Sequence, residues 1–175
     1  ELTSALTELD QAGVTGLVID LRDNSGGLLQ ESIAVADQFV DSGVLAYERD
    51  NQRERSFTAV SGGLASDLPL AILINERTAS GAELVAGALP DKDRPARKSQ
   101  TTVGRGAIQQ ILPLSDQSSL HVTAAEWFTP ARRALNEHGL QPDVALIPDA
   151  GGRDVELGEA VRQLEDLLTP ESSAS

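Results

Sequence analysis

Ser80 and Gly81 stand between an apolar run and a small-residue segment, in Asn75-Glu-Arg-Thr-Ala-Ser-Gly-Ala-Glu-Leu-Val-Ala-Gly87. The run before them, Pro69-Leu-Ala-Ile-Leu-Ile74, reads as a buried strand. The segment after Ser80 reads as a helix. A hydroxyl at such a junction lies at the end of a sheet, facing the free N–H groups of a helix N-terminus. That arrangement suits nucleophilic attack on a carbonyl with donors for the oxyanion. The same residues admit a reading with no chemistry. Ser80 and Glu83 have the S-x-x-E spacing of a capping box, and on this stretch alone the cap is favoured.

Other reactive types offer less. Cysteine is absent, so disulfides and thiolate chemistry are excluded. His121 lies in a strand pattern with polar alternation and His138 in a turn. Neither has the Asp or His spacing of a triad or a metal site, so both read as surface polar groups. Asp20, Asp23 and Asn24 resemble a cation loop in type. Their preferred reading is as strand-end caps that shape a turn at Gly26-Gly27. Trp127 and Phe128 are two of only five aromatics. Core packing beside the site is their default role and substrate contact the lesser alternative.

The elements that must hold Ser80 follow from periodicity. Leu2, Leu6 and Leu9 share a helical face that Gly13 ends. Gly16-Leu-Val-Ile-Asp-Leu-Arg22 is a second apolar strand, leading into the turn Asp23-Asn-Ser-Gly-Gly27. Residues 28–42 are amphipathic, with Leu29, Ile33, Ala36 and Val40 on one side. Residues 44–50 and 56–60 suit a hairpin around Asn51-Gln-Arg-Glu-Arg55, and 107–112 and 119–124 a second around Ser115-Asp-Gln-Ser118. Residues 154–168 form a last helix, and the tail from Thr169 to Ser175 is expected to fray. Helices alternate with strands early and hairpins come late, so the class is α/β with a mixed sheet flanked by helices. If Gly26-Gly27 and Ser80 share a site, the strands at 16–22 and 69–75 must be neighbours with their turns at one end.

Composition narrows the partners. The chain has 175 residues, one domain's worth, with a core at residues 1–168 and a disordered tail at 169–175. A formal charge of −13 would repel nucleic acid. No apolar run reaches membrane-spanning length, so direct membrane insertion is not expected. There are 12 Arg but only two Lys, Lys92 and Lys98. The chain opens abruptly in a helix-like segment and lacks Met, including at position 1, which suggests an excised piece.

Four separated stretches together resemble peptidase family S41, the carboxyl-terminal processing or tail-specific proteases. Gly16 to Leu29 resembles the family's G-hhh-D-L-R-x-N-x-G-G-L-L. Asn75 to Leu89 resembles its nucleophile segment, N-x-x-S-A-S-A-S-E-I-x-A-G-A-L. Thr102-Val-Gly-Arg-Gly-Ala-Ile-Gln109 resembles T-F-G-K-G-x-V-Q. Thr123 to Pro130 with Gly139-Leu-Gln-Pro-Asp143 resembles T-x-x-x-Y-x-T-P and G-I-x-P-D. Order and spacings agree over roughly residues 1 to 148.

The resemblance implies a Clp-protease/crotonase-like core and a serine endopeptidase with a Ser/Lys dyad. A serine needs a base within hydrogen-bond reach, and a lysine serves once burial lowers its pKa to about 7–8. By match, Ser80 is the nucleophile. Gly81 and either Gly26 or Gly27 supply the oxyanion N–H groups. Gln109 orients the lysine, and Asp91 is a structural acid. The family also implies polypeptide substrates with free C-termini, a PDZ domain in the parent protein, an extracytoplasmic location (periplasm, cell envelope or thylakoid lumen), and no cofactor or metal.

Two departures qualify this. The lysine position holds Arg105, which stays protonated and cannot take the proton from Ser80. Just upstream, Asp93-Arg-Pro-Ala-Arg-Lys-Ser99 stands where the family has an apolar strand. Proline and charge fit a central strand badly. That strand is expected to be lost, frayed or at an edge, and residues 90–102 to be the least ordered internal region. Lys92 and Lys98 are the only substitutes for the base, and both read as solvated. The alternative to an impaired protease is a non-catalytic peptide-binding pseudoprotease. A third reading, an apolar-ligand binder like the family's retinoid-binding relatives, fits the scarcity of aromatics poorly.

Overall fold

The apolar run before Ser80 becomes a strand with all five side chains buried. Burial on both faces is what an unalternating run requires. A computed structural model of the chain describes residues 1–89 and 97–169. In order, its elements are α1 (Leu2–Gln11), β1 (Leu17–Asp20), α2 (Leu29–Asp37), β2 (Val44–Arg49), β3 (Glu54–Thr58) and β4 (Leu70–Ile74). There follow α3 (Gly81–Ala88), β5 (Arg97–Ser99), β6 (Ala107–Pro113), β7 (Ser119–Phe128), β8 (Val144–Ala145) and α4 (Val155–Leu168).

Parallel and antiparallel strands separate into two sheets. One has the order β1-β4-β5-β8 and is parallel throughout; the other has the order β3-β2-β7-β6 and is antiparallel. β1 lies beside β4 with Leu17 opposite Leu70 and Asp20 opposite Leu73. Parallel pairing brings the turns after these two strands to one end of the sheet, as the sequence requires of a shared site. In open α/β sheets the crevice at the carboxyl ends of strands is where ligands bind.

Alternation along β4 divides the core. Leu70, Ile72 and Ile74 pack with Leu84, Val85 and Ala88 of α3, Ala36 of α2 and Trp127 of β7. Ala71 and Leu73 face the other way, onto Ala160 and Leu164 of α4. Each fully buried Leu contributes about 1.5–3 kcal/mol of transfer free energy, so α4 is held to its face by few but well-buried contacts.

Three sequence expectations are corrected. The strand at 97–99 forms, and it lies inside the sheet between β4 and β8, not lost or at an edge. Its short span needs only three residues, and the proline at 95 precedes it. Residues 90–96, with Asp91 and Lys92, lie outside the described residues, as does the tail from 170. The helix expected over 28–42 ends at Asp37. There the bonding tightens to i→i−3, with Gln38 N–H donating to Val35 and Phe39 N–H to Ala36. The Asp37 carboxylate accepts from Val60 N–H at 2.7 Å, and the Gln38 carbonyl accepts from Ala65 N–H at 2.9 Å. The chain thus leaves the helix to bind the 59–65 loop. Finally, the first hairpin turns two residues earlier than its polar segment suggests. The Asp50 carboxylate accepts from Gln52 and Arg53 N–H and closes the turn, which lets β3 begin at Glu54.

Candidate active site

Ser80 is the N-cap of α3, but its backbone is not that of an ordinary cap. It has φ 53° and ψ −120°, whereas capping serines sit in the extended region. A β-carbon there costs about 1–3 kcal/mol, and such outliers cluster at functional sites. A strained serine between a strand and a helix is the geometry of a nucleophile elbow, which lifts the hydroxyl above the end of a sheet. The glutamate arm of the capping box also forms: Glu83 Oε2 accepts from Ser80 N–H at 2.9 Å. Cap and elbow therefore coexist, and the unusual φ separates this serine from one that only caps.

The turn after β1 is stitched against this junction. Asn75 Oδ1 accepts from Asp23 N–H at 3.0 Å, and its Nδ2 donates to Asp23 Oδ1 at 3.1 Å. Thr78 Oγ1 donates to the Leu21 carbonyl, and Ala79 N–H to the Asn24 carbonyl. Asp20 is engaged by Arg22, and Asn24 Oδ1 accepts from Gly26 N–H at 2.9 Å. These groups bind one another and shape the turn.

Gly26 has φ 93°, and a β-carbon there would meet the Ala79 carbonyl and Gly81 nitrogen at 2.6 Å. Only glycine lets the turn lie this close to Ser80. Gly26 N–H is taken by Asn24, while Gly27 N–H, like that of Ser25, has no partner among the described residues. Gly81 N–H has none either. A β-carbon on Gly81 would lie 3.1 Å from Gly27 nitrogen, so these two glycines face each other beside Ser80.

Arg105 reaches the same place from the loop at 102–106. The buried Glu83 carboxylate draws that loop in. Its Oε1 accepts from Gly104 N–H at 2.8 Å and from the Thr102 hydroxyl, and its Oε2 from Arg105 N–H at 2.8 Å. One oxygen thus holds the N–H groups of both Ser80 and Arg105. Val103 N–H donates to the Thr78 carbonyl and Glu137 N–H to the Gly104 carbonyl. Gly106 packs so closely that a β-carbon would fall 2.3 Å from Asn136 nitrogen. The loop is fixed on both sides, while the Arg105 side chain is exposed.

A cavity of about 490 Å³ is lined by Ser80, Arg105, Gln109, Asn136 and the 103–104 backbone. Gln109 shares it, yet its Oε1 lies 3.4 Å from His121 Nδ1, and no hydrogen bond joins it to Arg105 among the described residues. A second, smaller and mostly apolar hollow of about 180 Å³ lies beside Gly27 and Gly81, walled by Leu21, Val35 and Val85. Asn136 was not singled out by the sequence, because its turn carries no chemical motif. Glu83 was seen only as a cap. Its grip on the 102–105 loop is a long-range contact that no local spacing encodes. His138 is exposed and bonds locally to the Asn136 carbonyl, and Trp127 is core.

The chain is similar over most of its length to known proteins. The model of peptidase family S41 matches residues 1–146. A chloroplastic C-terminal processing peptidase of Tetradesmus obliquus is 42% identical over 153 residues, covering 87% of this chain and 33% of that protein. A carboxyl-terminal-processing protease of Synechocystis sp. is 39% identical over 144 residues, covering 82% of this chain and 34% of its own. The solved photosystem II D1 C-terminal processing protease superposes with a TM-score of 0.77 at 40% identity, covering 91% of this chain and 41% of that one. The chain spans about a third of the length of the curated relatives it matches. Among the described residues no helix is long and apolar enough to cross a membrane. A serine on a strained strand-to-helix turn, a glycine turn across from it, and a family match over most of the chain have one conclusion: this chain belongs to peptidase family S41.

Proposed function

We propose that the chain is the nucleophile-bearing core of a serine endopeptidase of the carboxyl-terminal processing type, impaired in catalysis by Arg105. The observation that carries this reading is Ser80 itself, at φ 53° beside the N–H groups of Gly27 and Gly81, which have no partner among the described residues. A peptide carbonyl at Ser80 would direct its oxygen to those two donors, which stabilise the tetrahedral oxyanion. In an active dyad a neutral lysine at position 105 takes the hydroxyl proton, oriented by Gln109, and an acyl-enzyme forms and is hydrolysed. Arg105 supplies charge and donors but no acceptor. Loss of a general base costs about 10²–10⁴-fold.

The substrates on this reading are polypeptides with free C-termini. They are captured with the help of a PDZ domain in the parent protein, in an extracytoplasmic compartment. The second reading is a peptide-binding pseudoprotease, favoured by the same arginine. The test is cleavage of an unstructured peptide by the parent, by Arg105→Lys and by Arg105→Lys/Ser80→Ala. We expect negligible turnover by the parent, a gain of at least about tenfold with Arg105→Lys, and its loss in the double variant. Robust cleavage by the parent that disappears with Ser80→Ala would overturn the impaired-base reading. A silent Arg105→Lys would favour the binding module.

A further inference from the structure

Arg105 differs from most of the described arginines. Arg22, Arg49, Arg55, Arg132 and Arg162 each bind a carboxylate within 2.8 Å, as expected in a chain with 27 acidic residues. The Arg105 guanidinium makes no hydrogen bond or ion pair among the described residues. The nearest buried carboxylate, Glu83, has both oxygens filled by Ser80, Thr102, Gly104 and Arg105 main-chain or hydroxyl donors. It therefore holds the loop of Arg105 without capping its side chain.

Among the described residues, with the Glu83 carboxylate filled by main-chain and hydroxyl donors, the groups left free beside Ser80 are donors. The donors are the Gly27 and Gly81 N–H groups, the Ser80 hydroxyl and the Arg105 guanidinium. A peptide carbonyl satisfies only the first pair. A carboxylate satisfies both sides, with one oxygen at the paired N–H groups and the other toward the guanidinium. We infer that this site binds the C-terminal carboxylate of a polypeptide at the position where a scissile carbonyl would sit, with Arg105 as its cationic clamp. The small apolar hollow walled by Leu21, Val35 and Val85 takes the side chain of the terminal residue, which limits that residue to a small or medium apolar type. The ordering of the 102–106 loop by Glu83 means that little entropy is lost on closing over the ligand.

This inference rests on the assignment of Gly27 and Gly81 as carbonyl donors above, but its readout is binding rather than turnover. The experiment is an NMR titration of the ¹⁵N-labelled chain with N-acetyl-Ala-Ala-Ala as the free acid and as the C-terminal amide, at low salt. The acid should bind about tenfold or more tightly than the amide. Its shifts should centre on the amides of Gly27 and Gly81 and on Arg105 Nε. Arg105→Gln, with an otherwise superimposable spectrum, should abolish the preference, and Arg105→Lys should keep part of it. Equal affinity for acid and amide, no binding of either peptide, or an undiminished preference in Arg105→Gln would each overturn the clamp. Cleavage of longer peptides by the parent would instead overturn the impaired-base reading, and it leaves the acid-to-amide ratio as a separate measurement.

Discussion

At the scale of single residues, Ser80 carries a conformational cost that a cap does not need. With φ at 53° and ψ at −120° its β-carbon is strained, and the strain persists because Asn75, Thr78 and Glu83 fix the backbone on both sides. Removing the hydroxyl alone leaves the strain; removing the β-carbon relieves it. Glycine is also nearly as good an N-cap as serine, whereas alanine is poor. We therefore expect Ser80→Gly to be more stable than Ser80→Ala by about 1–3 kcal/mol, or roughly 2–4 °C in Tm for each kcal/mol. Thermal unfolding of the two variants checks this. If Ser80→Ala matched or exceeded Ser80→Gly, the unusual φ would carry no cost and the elbow would lose its physical support. Arg105 is the complementary case. Its identity was plain in the sequence, and so was its inability to act as a base. Its lack of a carboxylate partner among the described residues was not, because that depends on which donors fill Glu83.

At the scale of elements, most of what was legible came from strong apolar signals. The strands in the runs at 16–22 and 69–75 form from Leu17-Val-Ile and Leu70-Ala-Ile-Leu-Ile, short apolar stretches rich in β-branched residues, and they pair in parallel with their turns at one end. The last helix was bounded to within a residue, since Asp154 caps it by accepting from Leu157 N–H. Weak local signals misled where tertiary contacts decide. β5 is polar, yet it is held by β4 and β8 on either side, and α2 yields its last turn to the 59–65 loop. The packing of α2 against α3 was equally hidden. A β-carbon on Gly81 would fall 2.2 Å from Ser32 Oγ but 3.3 Å from Ser32 Cβ, so the hydroxyl is the obstruction. Gly81→Ala should cost about 1–3 kcal/mol by overpacking. Ser32→Ala should cost little, because its hydroxyl bonds only the Leu28 carbonyl one turn back. The double variant should recover most of the loss, giving a coupling of about 1 kcal/mol or more in a double-mutant cycle. Additive effects would mean that the two helices do not meet as described.

At the scale of the whole molecule, charge sets how the core responds to acid. α4 is fastened over β1 and β5 by one polar cluster. Arg22 donates to Asp20, Asp154 and Glu156, at 2.6–2.8 Å for its closest contact with each, and Ser99 donates to Glu156. The Asp154 carboxyl is held below its ordinary value, first by the Arg22 guanidinium and then by Leu157 N–H. Asp50, Glu54, Asp116 and Asp149 are lowered too, the first and third mainly by local N–H or hydroxyl donors and the others by arginines. A depressed carboxyl adds stability that is complete above its unfolded pKa, about 3.9 for Asp. That stability is lost as pH falls through the lower folded value. Opposing it, a formal charge of −13 repels itself at neutral pH, and that repulsion relaxes as the net charge falls on acidification. Tm should therefore be highest on the mildly acidic side, between about pH 4.5 and 6, and fall steeply below about pH 4. Asp154→Asn isolates the α4 contribution, since asparagine still caps the helix but cannot pair with Arg22. It should lower Tm at pH 7 by roughly 2–4 °C, the equivalent of about 1 kcal/mol. The gap to the parent should close as pH falls through the depressed folded value of Asp154, where its carboxyl is itself protonated. A gap that stayed constant on acidification through that value would show that the substitution acts through packing, and that the Arg22 cluster does not fasten α4 by charge.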